Sequence, residues 1–195
     1  MTPRTATFER TTRETTIRAA VNLDSLGDST IKTGIGFLDH LLTALSRHAG
    51  ITLDLQCTGD LHIDDHHTAE DCALALGAAI DKALGERRGI ARFGSAYAPL
   101  DESLARAVVD LSSRPFAVVD LGLRRETLGR LACENISHFV ASFATSLRAA
   151  IHLDVLRGAN DHHRAEAAFK ALALALRAAL VRTGDSEIPS TKGAL

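Results

Sequence analysis

The sequence predicts an α+β fold built from two similar halves, each a small, mostly antiparallel sheet with helices packed on one face. One observation is an internal repeat, because Glu14–Leu23 resembles Glu102–Leu111 at a constant offset of 88 residues. Another is the order of patterns, since alternating segments precede apolar segments with helical spacing in each half. A short half that cannot close its own core packs on its copy. We therefore expect one compact body with halves at 1–91 and 92–195.

The elements follow from hydrophobic periodicity and from turn residues. In the first half we predict a strand or hairpin at 5–24 with its turn at 26–29, a helix from 36 to about 50, a strand at 51–57 and a helix from the first histidine pair to about 84. In the second half we predict strands at 103–110 and 116–121, a helix at 135–149, a strand at 151–156, a helix at 161–182 and an irregular tail from 183.

A motif of histidine and glutamate is written twice, as Asp-His-His-Thr-Ala-Glu at 65–70 and as Asp-His-His-Arg-Ala-Glu at 161–166. In a helix, residues i and i+4 share a face, so each glutamate can lie close to its histidines. A lone histidine, His40 or His138, precedes each motif by a similar distance. Imidazole and carboxylate without thiolate suit Mn, Fe, Co, Ni or Zn and argue against a structural zinc site. Two motifs predict two metals.

A simpler interpretation is that each motif only begins a helix, with Asp65 and Asp161 as N-caps. The matched repeat, together with the matched upstream histidine, favours the metal interpretation. Glu14 and Glu102 occupy equivalent positions near strand starts, where a solvated glutamate is common. Arg92, Arg114 and Lys192 lie in turn-rich segments that could bind a phosphate, although each could also be an ordinary surface charge.

Composition narrows the class of protein. A net charge of −2 over 195 residues argues against general nucleic-acid binding. The N-terminal segment lacks the apolar stretch of a secretory signal peptide, and no apolar segment of the sequence approaches the length of a membrane span. Three cysteines without a CxxC pair indicate reduced thiols. We expect a cytoplasmic protein without nucleic-acid or membrane partners.

The chain resembles the imidazoleglycerol-phosphate dehydratase family of histidine biosynthesis along nearly its whole length. The matching segments are Thr33–Leu42, Gly59-Asp60, Asp65–Asp71, Gly89-Ile90 with Arg92, Pro99–Glu102, Ser113–Pro115, Glu134–Phe139, Asn160–Glu166 with Phe169-Lys170, and Ser190–Gly193. Leu100 and Ser112 depart mildly from the family pattern. The resemblance implies a fold like ribosomal protein S5 domain 2, a cytoplasmic hydro-lyase, a large homo-oligomeric cage (a 24-mer) and two Mn²⁺ per subunit between neighbours.

The resemblance also implies site residues. It implies metal ligands at His40, His66, His67, Glu70, His138, His162, His163 and Glu166. It implies substrate contacts at Glu14, Arg92, Arg114, Lys170, Ser190 and Lys192. The reaction would convert imidazole glycerol phosphate to imidazole acetol phosphate, the metals would stabilise an imidazolate, and Glu14 would transfer protons.

Pseudo-symmetry predicts how the ligands divide. One site would hold His66, Glu70, His138 and His163, and the other would hold His162, Glu166, His40 and His67. A dinuclear metallohydrolase acting on a small phosphate ester, and a metal-assembled scaffold without catalytic activity, are the alternative functions.

Overall fold

The structure, a computed structural model, describes residues 3–195 and contains two four-stranded sheets and four long helices. The helices are α1 (Gly36–Ala49), α2 (His66–Leu84), α3 (Cys133–Leu147) and α4 (Asp161–Leu180). The strands are β1 (Thr5–Thr11), β2 (Thr15–Asn22), β3 (Thr30–Lys32), β4 (Thr52–Gly59), β5 (Phe93–Leu100), β6 (Ser103–Asp110), β7 (Phe116–Asp120), β8 (Thr127–Leu128), β9 (Leu131–Ala132) and β10 (Ala150–Arg157).

The two sheets have the same topology. The first runs β1-β2-β4-β3 and the second runs β5-β6-β10-β7, so each strand occupies the place of its repeat equivalent. Both sheets are antiparallel except at one edge, where β3 pairs with β4 and β7 pairs with β10 in parallel. The predicted α+β fold with two similar halves is confirmed.

Alternating and helical patterns explain the layers. Strand β2 buries Ile17, Ala19 and Val21, whereas Thr16 and Arg18, whose side chains point to the opposite face, are exposed. Helix α1 buries a leucine stripe on one side and ends at Gly50, which has φ 72°. Glycine adopts that left-handed conformation without a Cβ penalty, so it terminates the helix.

The helices pack across the two halves. Helix α2 lies on β1 and β2 and contacts α3 of the other half, while α4 lies on β5 and β6 and contacts α1. The buried side chains of both halves form one continuous apolar cluster. One body therefore forms from two sheets with helices packed between the halves.

Some local predictions were wrong. The turn between β1 and β2 lies at residues 12–14, whereas 26–29 belongs to the connection toward β3. The predicted strands 103–110 and 116–121, in contrast, are confirmed as β6 and β7, which share a sheet with β10 between them. Strands β3, β5, β8 and β9 were not predicted as strands.

Of the two predicted N-caps, Asp65 occupies the N-cap position of α2, whereas Asp161 lies inside α4 and does not cap it. The side chain of Asp65 makes no cap hydrogen bond and accepts one from the backbone N–H of Ala132 (2.7 Å). Asn160, rather than Asp161, caps α4 by accepting from the N–H of His162. Asp161 instead accepts from two backbone N–H groups at residues 124 and 125. Asp65 thus joins the start of α2 to β9, and Asp161 joins the start of α4 to the segment between β7 and β8.

Among residues 3–195, none of the helices combines the length and the apolar character that crossing a membrane requires.

Candidate metal centre and active site

Helices α2 and α3 together form one candidate metal cluster, which we call cluster A (His66, Glu70 and His138). One ligand atom from each residue lies within 4.8 Å of the other two. The rings of His66 and His138 stack with centroids 4.8 Å apart. Asn135 Oδ1 lies 3.0 Å from His66 Nδ1, which leaves Nε2 of that ring available to a ligand.

Cluster A contains an unsatisfied polar atom. Nε2 of His138 lies 3.3 Å from Glu70 Oε1, yet it is buried and makes no hydrogen bond among residues 3–195. Buried polar atoms in folded proteins nearly always have a partner. A bound cation would provide that partner, so the donor set fits a metal.

Helices α1 and α4 form the equivalent cluster B (His40, His162 and Glu166), whose ligand atoms also lie within 4.8 Å of one another. Glu166 Oε2 lies 2.9 Å from His40 Nε2 and 3.2 Å from His162 Nε2. The i, i+4 spacing thus brings His162 and Glu166 together, and two imidazoles with a carboxylate are again a suitable donor set for a divalent cation.

Two residues make cluster B chemically different from cluster A. Lys170 Nζ lies 2.8 Å from Glu166 Oε1, and the ring of Phe37 meets His162 edge-on at 5.1 Å. Burial opposes ionisation of Glu166, but hydrogen bonds from Lys170 and His40 outweigh burial and lower its pKa to about 2. The carboxylate of cluster B is therefore ionised and already partly neutralised.

The second histidine of each pair lies outside the two clusters. His67 Nδ1 is 3.0 Å from Asp60 Oδ2, and its Nε2 is 3.8 Å from Glu14 Oε1. His163 Nδ1 is 2.8 Å from Glu102 Oε2. The hydrogen bond to Asp60 raises the pKa of His67, and the one to Glu102 raises the pKa of His163.

Each cluster therefore unites three of the four ligands that pseudo-symmetry assigns to it. His67 and His163 turn toward carboxylates of their own halves, so within one chain the fourth ligand does not join either three-residue cluster. The division of ligands between the two sites stays a prediction for assembled copies.

The predicted phosphate contacts divide into two groups. Lys170 lies beside cluster B, in contact with Glu166, whereas Arg92 and Arg114 lie beside Asp110. Arg92 donates to both oxygens of Asp110 (2.7 and 3.1 Å) and to the carbonyl of Pro189 (2.7 Å). Arg114 is mostly exposed, with Nη2 3.9 Å from Asp110.

Arg92 thus holds the C-terminal tail near the second sheet. The N–H of Lys192 donates to Ser190 Oγ (3.2 Å) within a turn of that tail. No hydrogen bond or ion pair joins Arg92 or Arg114 to either histidine cluster within the described chain. One chain alone therefore presents cations and histidines as separate groups.

The residues that support these groups were not predicted from the sequence. They are Asp60, Asn135, Asp110 and Phe37, together with Glu102 in its role at His163. Asn135 precedes His138 by three residues on α3, and helical spacing would have placed both on one face. Asp110 and Glu102 lie 18 and 61 residues from Arg92 and His163. Asp60 is only seven residues from His67 but lies outside α2, so helical periodicity does not identify it.

Comparison with known proteins decides the family. The family model for imidazoleglycerol-phosphate dehydratase matches residues 33–176. The chain belongs to the imidazoleglycerol-phosphate dehydratase family. It is 63% identical over 165 residues to the dehydratase of Eremothecium gossypii, covering 85% of this chain and 75% of that protein. It is 55% identical to the dehydratase of Candida glabrata, covering 97% of this chain and 99% of that protein.

Solved structures agree. A crystal structure of imidazoleglycerol-phosphate dehydratase from Staphylococcus aureus superposes with a TM-score of 0.83 at 35% identity, covering 92% of this chain and 99% of that one. The enzyme from Pyrococcus furiosus, crystallised in complex with (S)-C348, gives a TM-score of 0.83 at 38% identity, covering 96% and 100%. The chain is a dehydratase of histidine biosynthesis, and the metallohydrolase alternative has no support.

Proposed function

We propose that the chain converts imidazole glycerol phosphate to imidazole acetol phosphate using two Mn²⁺ per subunit, one at cluster A and one at cluster B. The observation that carries the metal part is the pair of clusters, each with two imidazoles and one carboxylate within 4.8 Å. Three protein ligands at each cluster leave positions of an octahedral cation for a further histidine, water and substrate, which suits Mn²⁺. When bound, the ions would favour the deprotonated imidazole of the substrate.

We propose Glu14 for the proton transfers. Its side chain is 53% exposed, and its Oε1 lies 3.8 Å from the Nε2 of His67. An exposed carboxylate beside a ligand histidine can reach a substrate group placed there. Glu14 would take the proton from the carbon next to the one that loses the hydroxyl.

We further propose that Arg92, Arg114, Lys170, Ser190 and Lys192 hold the phosphate and so fix the position of the reacting carbons. Arginine and lysine donors on turn-rich backbone are suited to phosphate oxygens. Asp110 would orient Arg92, and Arg92 would in turn hold the tail through the carbonyl of Pro189.

We propose that the complete site forms between copies of the chain. Within one chain, each cluster has three ligands, and the cations of the second sheet lie apart from both. The outer face of that sheet also exposes apolar side chains, which supports association. They are Phe93, Tyr97, Val108, Phe116 and Val118. A large cytoplasmic homo-oligomer of chains with halves at 1–91 and 92–195 completes the proposal.

Turnover with and without Mn²⁺ tests the proposed reaction. With Mn²⁺, we expect a product whose enol absorbs ultraviolet light in alkali and no release of inorganic phosphate. Chelation should abolish formation of this product. His138→Ala should lower kcat/KM at least as much as the roughly 10- to 100-fold that loss of an outer-shell partner costs at metal sites. The control is Glu86→Ala, because Glu86 is 76% exposed, pairs with Arg88 and belongs to neither cluster. Full activity in protein with no bound metal would contradict the proposal.

Light scattering tests the assembly. We expect chelation, or His66→Ala combined with His162→Ala, to convert a large particle into a smaller species, since metal binding to the assembled form alone stabilises it. Lys192→Ala should leave the particle intact and weaken substrate binding. An unchanged particle after verified metal removal would show that apolar contacts alone hold it together.

A further inference from the structure

The two halves place a glutamate at the same repeat position, and the structure gives the two glutamates different surroundings. Glu14 directly precedes β2, and Glu102 directly precedes β6. We propose that Glu102 is a positioning residue that fixes the tautomer and direction of His163, while Glu14 alone of the pair stays available for proton transfer. This inference rests on the proposed role of His163 as a metal ligand.

The contacts of the two carboxylates differ in number. Glu102 Oε1 accepts from the backbone N–H groups of Ala159 (3.0 Å) and Asn160 (2.9 Å) and from the hydroxyl of Ser103 (3.1 Å). Its Oε2 lies 2.8 Å from Nδ1 of His163. Both oxygens of Glu102 are therefore engaged.

The carboxylate of Glu14 makes no hydrogen bond among the described residues. Its one ionic neighbour is Nε2 of His67 at 3.8 Å. His67 does not depend on Glu14 for its orientation, because Asp60 Oδ2 holds Nδ1 at 3.0 Å. Asp60 thus does for His67 what Glu102 does for His163.

A difference between the loops that follow β4 and β10 explains why Asp60 holds His67 whereas Glu102 holds His163. Gly59 and Gly158 are equivalent, because each lies against the first residue of the second hairpin strand of its own half. The next residue is Asp60 in the first half and Ala159 in the second. Alanine has no carboxylate, so His163 has no counterpart of Asp60. The second loop instead presents backbone N–H groups to Glu102.

The chemical consequence concerns the proton on the imidazole of His163. A carboxylate accepts hydrogen bonds only, so Glu102 requires a proton on Nδ1 of the neutral ring. Nε2 then carries the lone pair that a metal needs, and the ring plane is fixed toward it. Asp101 Oδ2, at 3.9 Å from Nε2, is exposed and too distant to hold that nitrogen.

Glu102→Gln separates this role from a structural one. The glutamine oxygen would remain with the two backbone N–H groups, because turning it away would leave both without an acceptor. The amide NH₂ would then face Nδ1 of His163 and donate to it, which places the proton on Nε2. The helix start keeps its contacts, but the ligand lone pair is lost.

The experiment is a titration of the chelated, full-length protein with Mn²⁺ alone, followed by the electron paramagnetic resonance of free Mn²⁺. We expect two sites per subunit in the wild type. In Glu102→Gln we expect one of the two to weaken by about 10- to 100-fold, with the thermal unfolding curve nearly unchanged. Asp60→Asn should weaken binding less, because an asparagine oxygen can still accept from Nδ1 of His67.

Glu86→Gln is the matched control, since Glu86 is 76% exposed and, among residues 3–195, pairs only with Arg88. Two wild-type sites together with unchanged affinities in Glu102→Gln would overturn the positioning role and leave the proposed function standing. A wild type that binds no Mn²⁺ would overturn the metal proposal and this inference together. If Glu102→Gln unfolds, the same titration is made with Glu102→Asp. Its shorter carboxylate cannot reach both the loop and His163, so we expect the same loss of Mn²⁺ affinity at one site.

Discussion

Replacing Gly77 by alanine should separate the two helices that carry cluster A. Gly77 lies inside α2, two turns after Glu70, where α2 meets α3. A Cβ at this position would lie 2.8 Å from the backbone nitrogen of Leu147, 2.8 Å from Cβ of Ser146 and 2.9 Å from the carbonyl oxygen of Phe143. Two of these three atoms are backbone, so no side-chain rotation relieves the contact.

Two effects of opposite sign determine the stability of Gly77→Ala. Alanine favours the helix over glycine by about 1 kcal/mol. Overpacking a well-packed core costs about 1–3 kcal/mol, and here the contacts fall on rigid backbone, at the upper end of that range. We therefore expect Gly77→Ala to lower the free energy of unfolding by about 1–2 kcal/mol.

The displacement decides the functional effect. Ordinary contact begins near 3.4 Å, so α3 must move by about 0.6 Å from the 2.8 Å contact. Metal sites tolerate ligand distances within about 0.2 Å. Because α3 carries His138 of cluster A, we expect weaker Mn²⁺ binding at cluster A, whereas cluster B, on α1 and α4, keeps its affinity.

Urea unfolding and Mn²⁺ titration measure the two effects. The matched control is Gly36→Ala in α1, because a Cβ at Gly36 would meet no atom of the described residues within 4 Å. That variant should be as stable as the wild type or slightly more stable. If Gly77→Ala unfolds at the same urea concentration as Gly36→Ala and binds two Mn²⁺ with wild-type affinity, the reasoning from close helix packing is wrong.

Two other perturbations probe charge. Partial burial would raise the pKa of Asp24, but hydrogen bonds from Arg182 and Arg4 outweigh it and hold the pKa well below its usual range. A depressed folded pKa gives stability that is present above the unfolded value near 4 and is lost as pH falls below it. Asp24→Asn should therefore be less stable than the wild type by roughly 1–2 kcal/mol at pH 7, and urea unfolding should show the gap narrowing as pH falls from about 4 toward the lower folded pKa. A gap that is as large at pH 2.5 as at pH 7 would contradict this. Lys170→Met removes the ammonium that lies 2.8 Å from Glu166 and partly neutralises it. One Mn²⁺ site should therefore bind roughly tenfold more tightly in a direct titration, and phosphate binding should weaken. Weaker Mn²⁺ binding in this variant would show that Lys170 does not compete with the cation.

The sequence determined the elements whose signals are local. The apolar stripe of α1 predicted that helix to within about a residue at each end, and the repeated motif placed His162 and Glu166 together at 3.2 Å. These results depend only on the periodicity of a single helix, which the chain order specifies. The resemblance of the sequence to a known family additionally predicted the family and its reaction.

Strand β5 shows where local signals fail. Its sequence contains Gly94, Ser95 and Pro99, which are poor strand formers. The strand forms because β5 lies at the edge of its sheet, with β6 as its one neighbour among residues 3–195. Proline has no backbone N–H, and an edge strand tolerates it because one side of the strand needs no donor. Similarly, the three residues of β3 become a strand only through parallel pairing with β4.

Only the tertiary structure decided which residues of the two halves meet. The repeat made Glu14 and Glu102 look equivalent, yet Glu102 is held by a loop and by His163 whereas Glu14 remains open. That difference depends on the side chain that follows β4 or β10 and on the backbone N–H groups that face the glutamate. Hydrogen bonds between segments about 60 residues apart are set by how the packed elements approach one another, and periodicity along the chain carries no information about that approach.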